Sequence, residues 1–258
     1  MSARLTVLGA SACAPTSLGA AVGYLLEHDG GATLVDCGPG VVAELASRDL
    51  LGRLTGVVIS HEHADHSADL VALGYRRGFP ERLPALPLWA PTGFGRKLEG
   101  LDAVYGIPTL PDLAHPFTGG YALTEVEPGA TVVVDGTTLA TTRAVHPVPT
   151  LTMRFPDLGL AYTADTGMSA ELVEACRGAQ VLLAEATYRD AAGIDVSEHG
   201  HLTGRTVGEL AAEAGVGRLV VTHLADPDDG PEILAEARRA FAGPVELAVP
   251  GMVVELDA

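Results

Sequence analysis

The sequence predicts an α/β fold of the αββα type, two mixed sheets packed face to face with helices on the outside. Two observations point to it. Strand-rich blocks repeatedly give way to helices along the chain, and several of the strands are continuous apolar runs, as expected of strands buried on both faces. With 258 residues, 47% of them hydrophobic, the chain can bury a full core without staples. No fixed-period repeat, low-complexity tract or linker divides it, so residues 1–258 are expected to form a single domain.

The elements follow in order. RLTVLGA, AVGYLLEH and ATLVDCG read as strands, the last closing in the turn GPG, with VVAELASR as a short amphipathic helix behind it. GVVIS, residues 56–60, is an apolar β-branched run and hence a buried strand. HSADLVALGYRR then takes a helical period, with Leu70, Leu73 and Tyr75 on one side. LPLWAP is a short strand and GFGRKLEGLDAVYG a helix, within a stretch rich in Pro and Gly. YALTEVEPG, ATVVVDG, TTLATTRAVHP, LTMRFP and LGLAYTAD return to strands between Pro, Gly and Asp turns. The remainder alternates: helix MSAELVEACRG, strand AQVLLAEA, helix TGRTVGELAAEAG, strand RLVVTH, helix PEILAEARRAFAG, then strands VELAV and MVVEL.

Composition narrows the function. Thirty-three acidic residues against sixteen basic ones give a formal net charge of −17. Such a balance disfavours long nucleic acid and anionic membrane as partners, because no overall positive field attracts phosphates. Cys13, Cys37 and Cys176 are too few and too scattered for a disulfide framework or a zinc knuckle, and read as small buried hydrophobes. Residues 5–26 carry no charge, but Gly9, Pro15, Gly19 and Gly23 interrupt them, so they read as strands around a loop rather than a signal peptide. No other stretch approaches a membrane span, and a cytoplasmic location is expected.

The chemistry concentrates in ISHEHADHSADL. His61, His63, Asp65 and His66 fall within six residues at the exit of a strand, where a rigid sheet can aim them at one place. Imidazole suits zinc, iron or manganese, and a carboxylate can bridge two such ions. His61 and His63 alternate in an extended loop and point the same way, whereas Asp65 and His66 turn toward a neighbouring point. The spacing therefore suggests two divalent ions. Three more candidate ligands, His146, Asp165 and His223, end the strands TTLATTRAVHP, LGLAYTAD and RLVVTH, so one mouth of the sandwich can collect them all.

This set, His61-x-His63-x-Asp65-His66 with His146, Asp165 and His223, resembles the dinuclear metallo-β-lactamase superfamily along essentially the whole chain. The resemblance implies the αββα fold, and two metal ions, most often Zn2+, with Mn2+ or Fe as substitutes. It implies a first ion on His61, His63 and His146, a second on Asp65, His66 and His223, and Asp165 bridging. Asp36 in LVDCGPG matches the family's aspartate that steadies the ligands. The presence of His66 and of a bridging Asp165 disfavours antibiotic hydrolysis.

Within the superfamily, LLAEATY and GHLTG resemble motifs of the RNase Z group of phosphodiesterases, which implies His201 as proton donor to the leaving oxygen, with Glu185 orienting it. Asp65 also belongs to the implied catalytic set. The long arm by which RNase Z grips tRNA falls between His146 and Asp165, and nineteen positions leave no room for it. The insertion of the nucleic-acid-cutting β-CASP branch is missing too. What remains is similar to the arm-less members, above all the actinobacterial-type atypical class II cyclic-nucleotide phosphodiesterases. Related arm-less enzymes acting on ribose cyclic phosphate carry an extra cysteine-rich zinc site that this chain lacks.

The resemblance thus implies a metal-dependent phosphodiesterase that opens cyclic nucleotides or other small cyclic phosphodiesters by attack of a hydroxide held between the metals. Other readings are an acyl or sulfuryl ester hydrolase on the same scaffold (lactonase, thioesterase or arylsulfatase), an RNase Z-like ribonuclease, or a metal-dependent binding protein without turnover. Arg76, Arg77, Arg82, Arg96 and Lys97 crowd five of the sixteen cations into twenty-two residues. Arg76 and Arg77 in particular are expected either to capture a small anionic substrate's phosphate or to form a solvated face or subunit contact. His28, His115 and His199 are expected at the surface or supporting the ligands from behind, rather than among the ligands. The family resemblance also implies a homodimer, and Leu70, Leu73 and Tyr75 beside Arg76 and Arg77 suit the helix after HEHADH to a symmetric contact.

Overall fold

In the computed structural model, residues 2–190 and 199–257 are described. The first half runs β1 (Ser2–Ser11), β2 (Ala20–Ala21), β3 (Gly23–His28), β4 (Gly31–Val35), α1 (Val41–Ser47), β5 (Gly56–Val58), α2 (Ala64–Ser67), α3 (Leu70–Gly78), β6 (Leu86–Pro91), α4 (Gly95–Tyr105) and β7 (Tyr121–Val126). The second runs β8 (Thr131–Val134), β9 (Thr137–Arg143), β10 (Leu151–Phe155), β11 (Leu160–Tyr162), α5 (Ala170–Cys176), β12 (Val181–Glu185), α6 (Gly204–Ala214), β13 (Arg218–Thr222), α7 (Gly230–Ala240), β14 (Val245–Leu247) and β15 (Val253–Asp257).

One sheet has the order β15-β1-β3-β4-β5-β6-β7 with β2 beside β1, and the other β14-β13-β12-β11-β10-β9-β8. Each is antiparallel in one part and parallel in the other: β4 to β7 are parallel, as are β11 to β14. Three apolar layers hold the stack together. Leu5, Val7, Tyr24 and Leu26 of the first sheet meet Met153, Phe155, Leu183 and Val220 of the second. A second layer joins the outer face of β11–β14 to α5, α6 and α7, and a third joins the outer face of β3–β6 to α1, α3 and α4. The sequence-predicted sandwich of two mixed sheets flanked by helices is therefore the observed fold. Among the described residues, no helix is long and apolar enough to cross a membrane.

Three local readings need correction. The helix expected over HSADLVALGYRR is two helices, α2 and α3, and begins earlier, at Ala64. Asp69 lies at the break, and its carboxylate accepts the Val42 N–H at the start of α1. Cys13, expected to be buried, is exposed; Cys37 and Cys176 are buried. Leu70 and Leu73, placed in a subunit contact, are buried against the sheet.

Candidate metal centre

The parallel strands of both sheets deliver their C-terminal ends to the same edge of the sandwich. Asp36 follows β4, His61 follows β5, Asp165 follows β11, Glu185 ends β12 and His223 follows β13. In open α/β sheets this edge is where ligands bind. Cys13, Asp36, Ala164 and His223, four non-glycine residues around this edge, adopt left-handed backbone with φ between 52° and 62°. Strain of that kind persists where the surroundings over-determine it. Gly38 makes close approach possible: a Cβ there would sit 1.8 Å from the Asp65 carbonyl oxygen.

The seven candidate ligands converge in two groups. His61, His63, His146 and Asp165 offer atoms within 4.8 Å of one another, and so do Asp65, His66 and His223. Asp165 faces both: Oδ2 lies 3.7 Å from His61 Nε2, while Oδ1 lies 3.2 Å from His66 Nε2 and 3.3 Å from His223 Nε2. Asp65 Oδ2 stands 3.4 Å from His223 Nε2 and accepts the Cys13 N–H at 2.7 Å. His201 also falls within 4.8 Å of Asp165 and His223, so geometry alone leaves it able to ligate.

Most of the imidazoles are held from behind by their Nδ1 atoms. The buried Asp36 carboxylate accepts from His66 Nδ1 (2.8 Å), from Ser60 N–H (2.7 Å) and Oγ (2.8 Å), and from the Tyr162 hydroxyl (2.8 Å). Because the Ser60 hydroxyl donates to Asp36, its oxygen is left to accept from His61 Nδ1 at 3.0 Å. Thr187 does the same in the second sheet: its hydroxyl donates to Glu185 Oε2 (2.6 Å) and accepts from His223 Nδ1 (2.8 Å). His146 Nδ1 donates to the Gly200 carbonyl at 3.2 Å. With those Nδ1 protons committed, Nε2 of each of the four rings, in its neutral form, aims a lone pair at the interior, as metal binding requires.

The donors fit a cation. His66 Nε2 and His223 Nε2 face each other at 3.3 Å, and His63 Nδ1 faces His146 Nε2 at 3.2 Å. In the neutral form of the first pair, with both Nδ1 protons committed, no proton lies between the two nitrogens. His61 Nε2 and Asp165 Oδ1 are buried without a hydrogen-bond partner. Buried charges need compensation, yet among the described residues the ion pairs of Asp36, Asp65 and Asp165 are with histidines alone. Burial pushes the Asp65 and Asp165 carboxyls up, but His223 and His66 outweigh it and hold both well below the usual carboxylate range. Burial likewise opposes a charge on His66, and Asp165 and Asp36 overcome it, so its pKa is raised. Burial lowers His61, His63 and His146, keeping these rings neutral. A divalent ion binds neutral imidazoles beside ionised carboxylates, so binding here would displace the proton that the carboxylates favour on His66.

His201 stands at the mouth, its side chain 14% exposed, with Nδ1 on Glu185 Oε1 at 2.9 Å. Burial lowers its pKa, but the Glu185 hydrogen bond and charge outweigh this, and the net shift is upward. Glu185 is buried and accepts from four donors: Thr166 N–H and His201 on Oε1, Thr187 N–H and hydroxyl on Oε2. Of the basic cluster, Arg96 and Lys97 line an open cleft of ≈ 610 Å³ beside His63. Arg76 and Arg77 line a different cleft, beside Leu51 and Pro80, and direct their guanidinium groups to the carbonyls of Phe79 and Pro84. His115 and His199 are exposed and His28 is half-buried. Sequence alone assigns no role to Ser60 or Thr187; the one available signal is that they lie within the stretches ISHEHADHSADL and LLAEATY.

A family model described as the beta-lactamase superfamily domain matches residues 32–224. The uncharacterized protein Rv1339 of Mycobacterium tuberculosis is 33% identical, over 96% of this chain and 90% of its own. A ribonuclease Z of Mycobacterium sp. (strain KMS) is 31% identical over 95% of this chain and 92% of its own. The crystal structure of the metallo-beta-lactamase fold protein YhfI from Bacillus subtilis superposes with a TM-score of 0.84 at 26% identity, covering 98% of this chain and 99% of that one. On a fold, a histidine–aspartate cluster and relatives that agree, this chain belongs to the beta-lactamase superfamily, as a metallo-hydrolase of its RNase Z-like branch.

Proposed function

We propose that this protein is a dinuclear phosphodiesterase acting on cyclic nucleotides or other small cyclic phosphodiesters. His61, His63 and His146 would hold one ion, Asp65, His66 and His223 the other, with Asp165 between them and zinc the favoured metal. When bound, such ions supply Lewis-acid stabilisation of charge on phosphorus oxygens and activate water. The chain's own residues supply the rest. Asp36, Ser60 and Thr187 orient the ligands, and His201 donates a proton to the leaving oxygen while Glu185 holds its Nδ1.

The observation that carries this reading is the His201–Glu185 pair at 2.9 Å beside the histidine–aspartate cluster. An alkoxide leaving group needs a proton, and a site that merely binds metal does not need a donor. The preference for small substrates is supported by the stretch from His146 to Asp165, which is a loop followed by the β10–β11 hairpin, with no arm. The net charge of −17 supports it as well. Arg96, exposed on the His63 side, replaces Arg76 and Arg77 as the favoured partner for a substrate anion.

The test is a panel on the metal-loaded protein: cyclic AMP, bis-p-nitrophenyl phosphate, a precursor tRNA, a lactone and an aryl sulfate. Turnover of the cyclic nucleotide above the others is expected. Efficient trimming of the tRNA would instead establish the ribonuclease reading that some relatives' names suggest, and turnover of only the lactone or sulfate would replace the phosphodiesterase. A second copy of the chain is the proposed partner. With Leu70 and Leu73 buried, the contact falls to the exposed Phe79, Leu83 and Tyr105. Light scattering at micromolar concentration should give twice the chain mass, and the monomer mass would dispose of the idea.

A further inference from the structure

We propose that Lys97, on α4, is a positioning residue that braces the metal-binding loop from outside the site; this rests on the reading of that loop as a metal ligand set. The main chain of the loop is tied down at most points. Ser60 O accepts from Leu151 N–H (3.0 Å), Asp65 O from Val22 N–H (3.1 Å) and His66 O from Cys37 N–H (2.7 Å). Glu62 O, the carbonyl between the ligands His61 and His63, is different. Among the described residues it is reached by side chains: the Lys97 ammonium and, at 3.1 Å, the Ser67 hydroxyl.

The same ammonium donates to Ser67 Oγ at 2.6 Å, and Ser67 Oγ contacts His63 O at 2.7 Å. One cation thus ties the carbonyl between the first two ligands to the residue that follows His66. The Phe94 ring, 5.7 Å from Nζ, helps to keep it there. A main-chain carbonyl without a partner is costly, and a loop free to turn its carbonyls would also turn its ligands.

Two physical effects of Lys97 have opposite signs, which makes the idea testable. If Lys97 acted only through its charge, it would repel a divalent ion, and its removal would tighten metal binding. If it acts as a brace, its removal loosens the ligands and weakens binding, in the way that groups supporting metal ligands generally do.

The experiment measures zinc affinity by competition with a chromophoric chelator, for wild type, Lys97→Met, Lys97→Arg, Ser67→Ala and the double variant Lys97→Met/Ser67→Ala, with circular dichroism to confirm folding. Lys97→Met should weaken zinc binding by about 10–100-fold. Lys97→Arg, which keeps a cationic donor, should recover most of the loss. Ser67→Ala should weaken binding in the same direction, and the double variant should lose less than the product of the two single effects, because both act through one connection. Zinc bound to Lys97→Met as tightly as to wild type, or more tightly, would overturn the proposal. Were that variant to misfold, unchanged affinity in Ser67→Ala together with a 10-fold loss in Lys97→Arg would overturn it instead. Wild-type protein without zinc would defeat the reading of the loop itself, a distinguishable result.

Discussion

In the first sheet Asp36 receives His66 directly and His61 through the Ser60 hydroxyl; in the second, Glu185 receives His201 directly and His223 through the Thr187 hydroxyl. Each carboxylate lies at the end of a parallel strand, β4 or β12, and each hydroxyl is interposed between carboxylate and ring. What differs is the solvent. His61 and His66 are both fully buried and aim Nε2 at the cluster. In the second sheet only His223 is buried, while His201 is kept at the mouth within reach of a substrate. In the proposed reading one construction serves two ends: the first half of the site would hold metal, and the second half would hold metal and a proton donor together.

That contrast breaks most visibly at His66. Its imidazole lies between Asp36 and Asp165, and without it the Asp65–His223 group loses its third member. His66→Ala should lower metal content from about two ions per chain to about one, with loss of most activity, since a closed site needs its full ligand set. Elemental analysis of the variant beside wild type checks this. One ion in fully active wild-type protein would remove the need for a second group of ligands.

The next largest effect belongs to His201 and should depend on the substrate. An alkoxide leaves with difficulty unless it is protonated, whereas p-nitrophenolate is stable as an anion. His201→Ala should slow cyclic-nucleotide hydrolysis by about 10²–10⁴-fold, slow the p-nitrophenyl ester far less, and leave metal content unchanged. Equal losses on both substrates, or loss of metal, would make His201 a ligand instead, which its position near Asp165 and His223 permits. The acid form must be protonated, so the rate on poor leaving groups should fall as pH rises through the His201 pKa. Glu185 is what raises that pKa against burial, so Glu185→Gln should move the alkaline limb of the pH–rate profile to lower pH. Glutamine cannot accept from all four donors around position 185, and the variant should also lose about 1–3 kcal/mol of stability for each buried donor left unpaired.

The two halves also differ in how much of them the sequence discloses. His61, His63, Asp65 and His66 fall within six residues, so their spacing alone marks them as candidate ligands. His146, Asp165 and His223 are far apart, and only their shared place beyond strand ends ties them together. His201 and Glu185 needed likeness to known motifs, because nothing in their spacing shows that β12 and the segment before α6 meet. Ser60 and Thr187 sit within ISHEHADHSADL and LLAEATY, yet their role is not legible there: a hydroxyl bridging a carboxylate and a ring is common chemistry, and only the fold shows what it bridges. Arg76 and Arg77 show the opposite limit, since a charge cluster advertises a partner but says nothing of where its groups point, here to the carbonyls of Phe79 and Pro84. The helix break at Asp69 belongs with these: its N–H leaves the helical ladder for the Cys37 carbonyl, and its carboxylate takes the Val42 N–H, tertiary bonds that local propensity does not show.

The smallest effects should come from the two hydroxyls, and comparing them tests the division of labour most finely. Ser60→Ala and Thr187→Val each remove the acceptor of one ligand's Nδ1 proton without touching a ligand. Losing such a supporting group typically costs 10–100-fold in metal affinity or activity, and both variants should fall toward the lower end because other contacts persist. His66 stays on Asp36 when Ser60 is changed, and the Glu185–His201 bond at 2.9 Å does not pass through Thr187. The halves should nevertheless respond differently. The rings that the Ser60 hydroxyl reaches, His61 and His66, both belong to the metal cluster, so Ser60→Ala should weaken metal binding and slow both ester substrates alike once metal is saturating. Thr187 Oγ1 also lies 3.3 Å from His201 Nδ1 and donates to the same carboxylate that holds it. Thr187→Val should therefore loosen the donor as well as the ligand, leaving a larger deficit on cyclic nucleotide than on the p-nitrophenyl ester at saturating metal. Steady-state rates for both variants on both substrates, measured over a metal titration, separate these outcomes. If the two variants showed the same substrate ratio, Thr187 would be a ligand support like Ser60, and the second half of the site would not couple its metal to its acid.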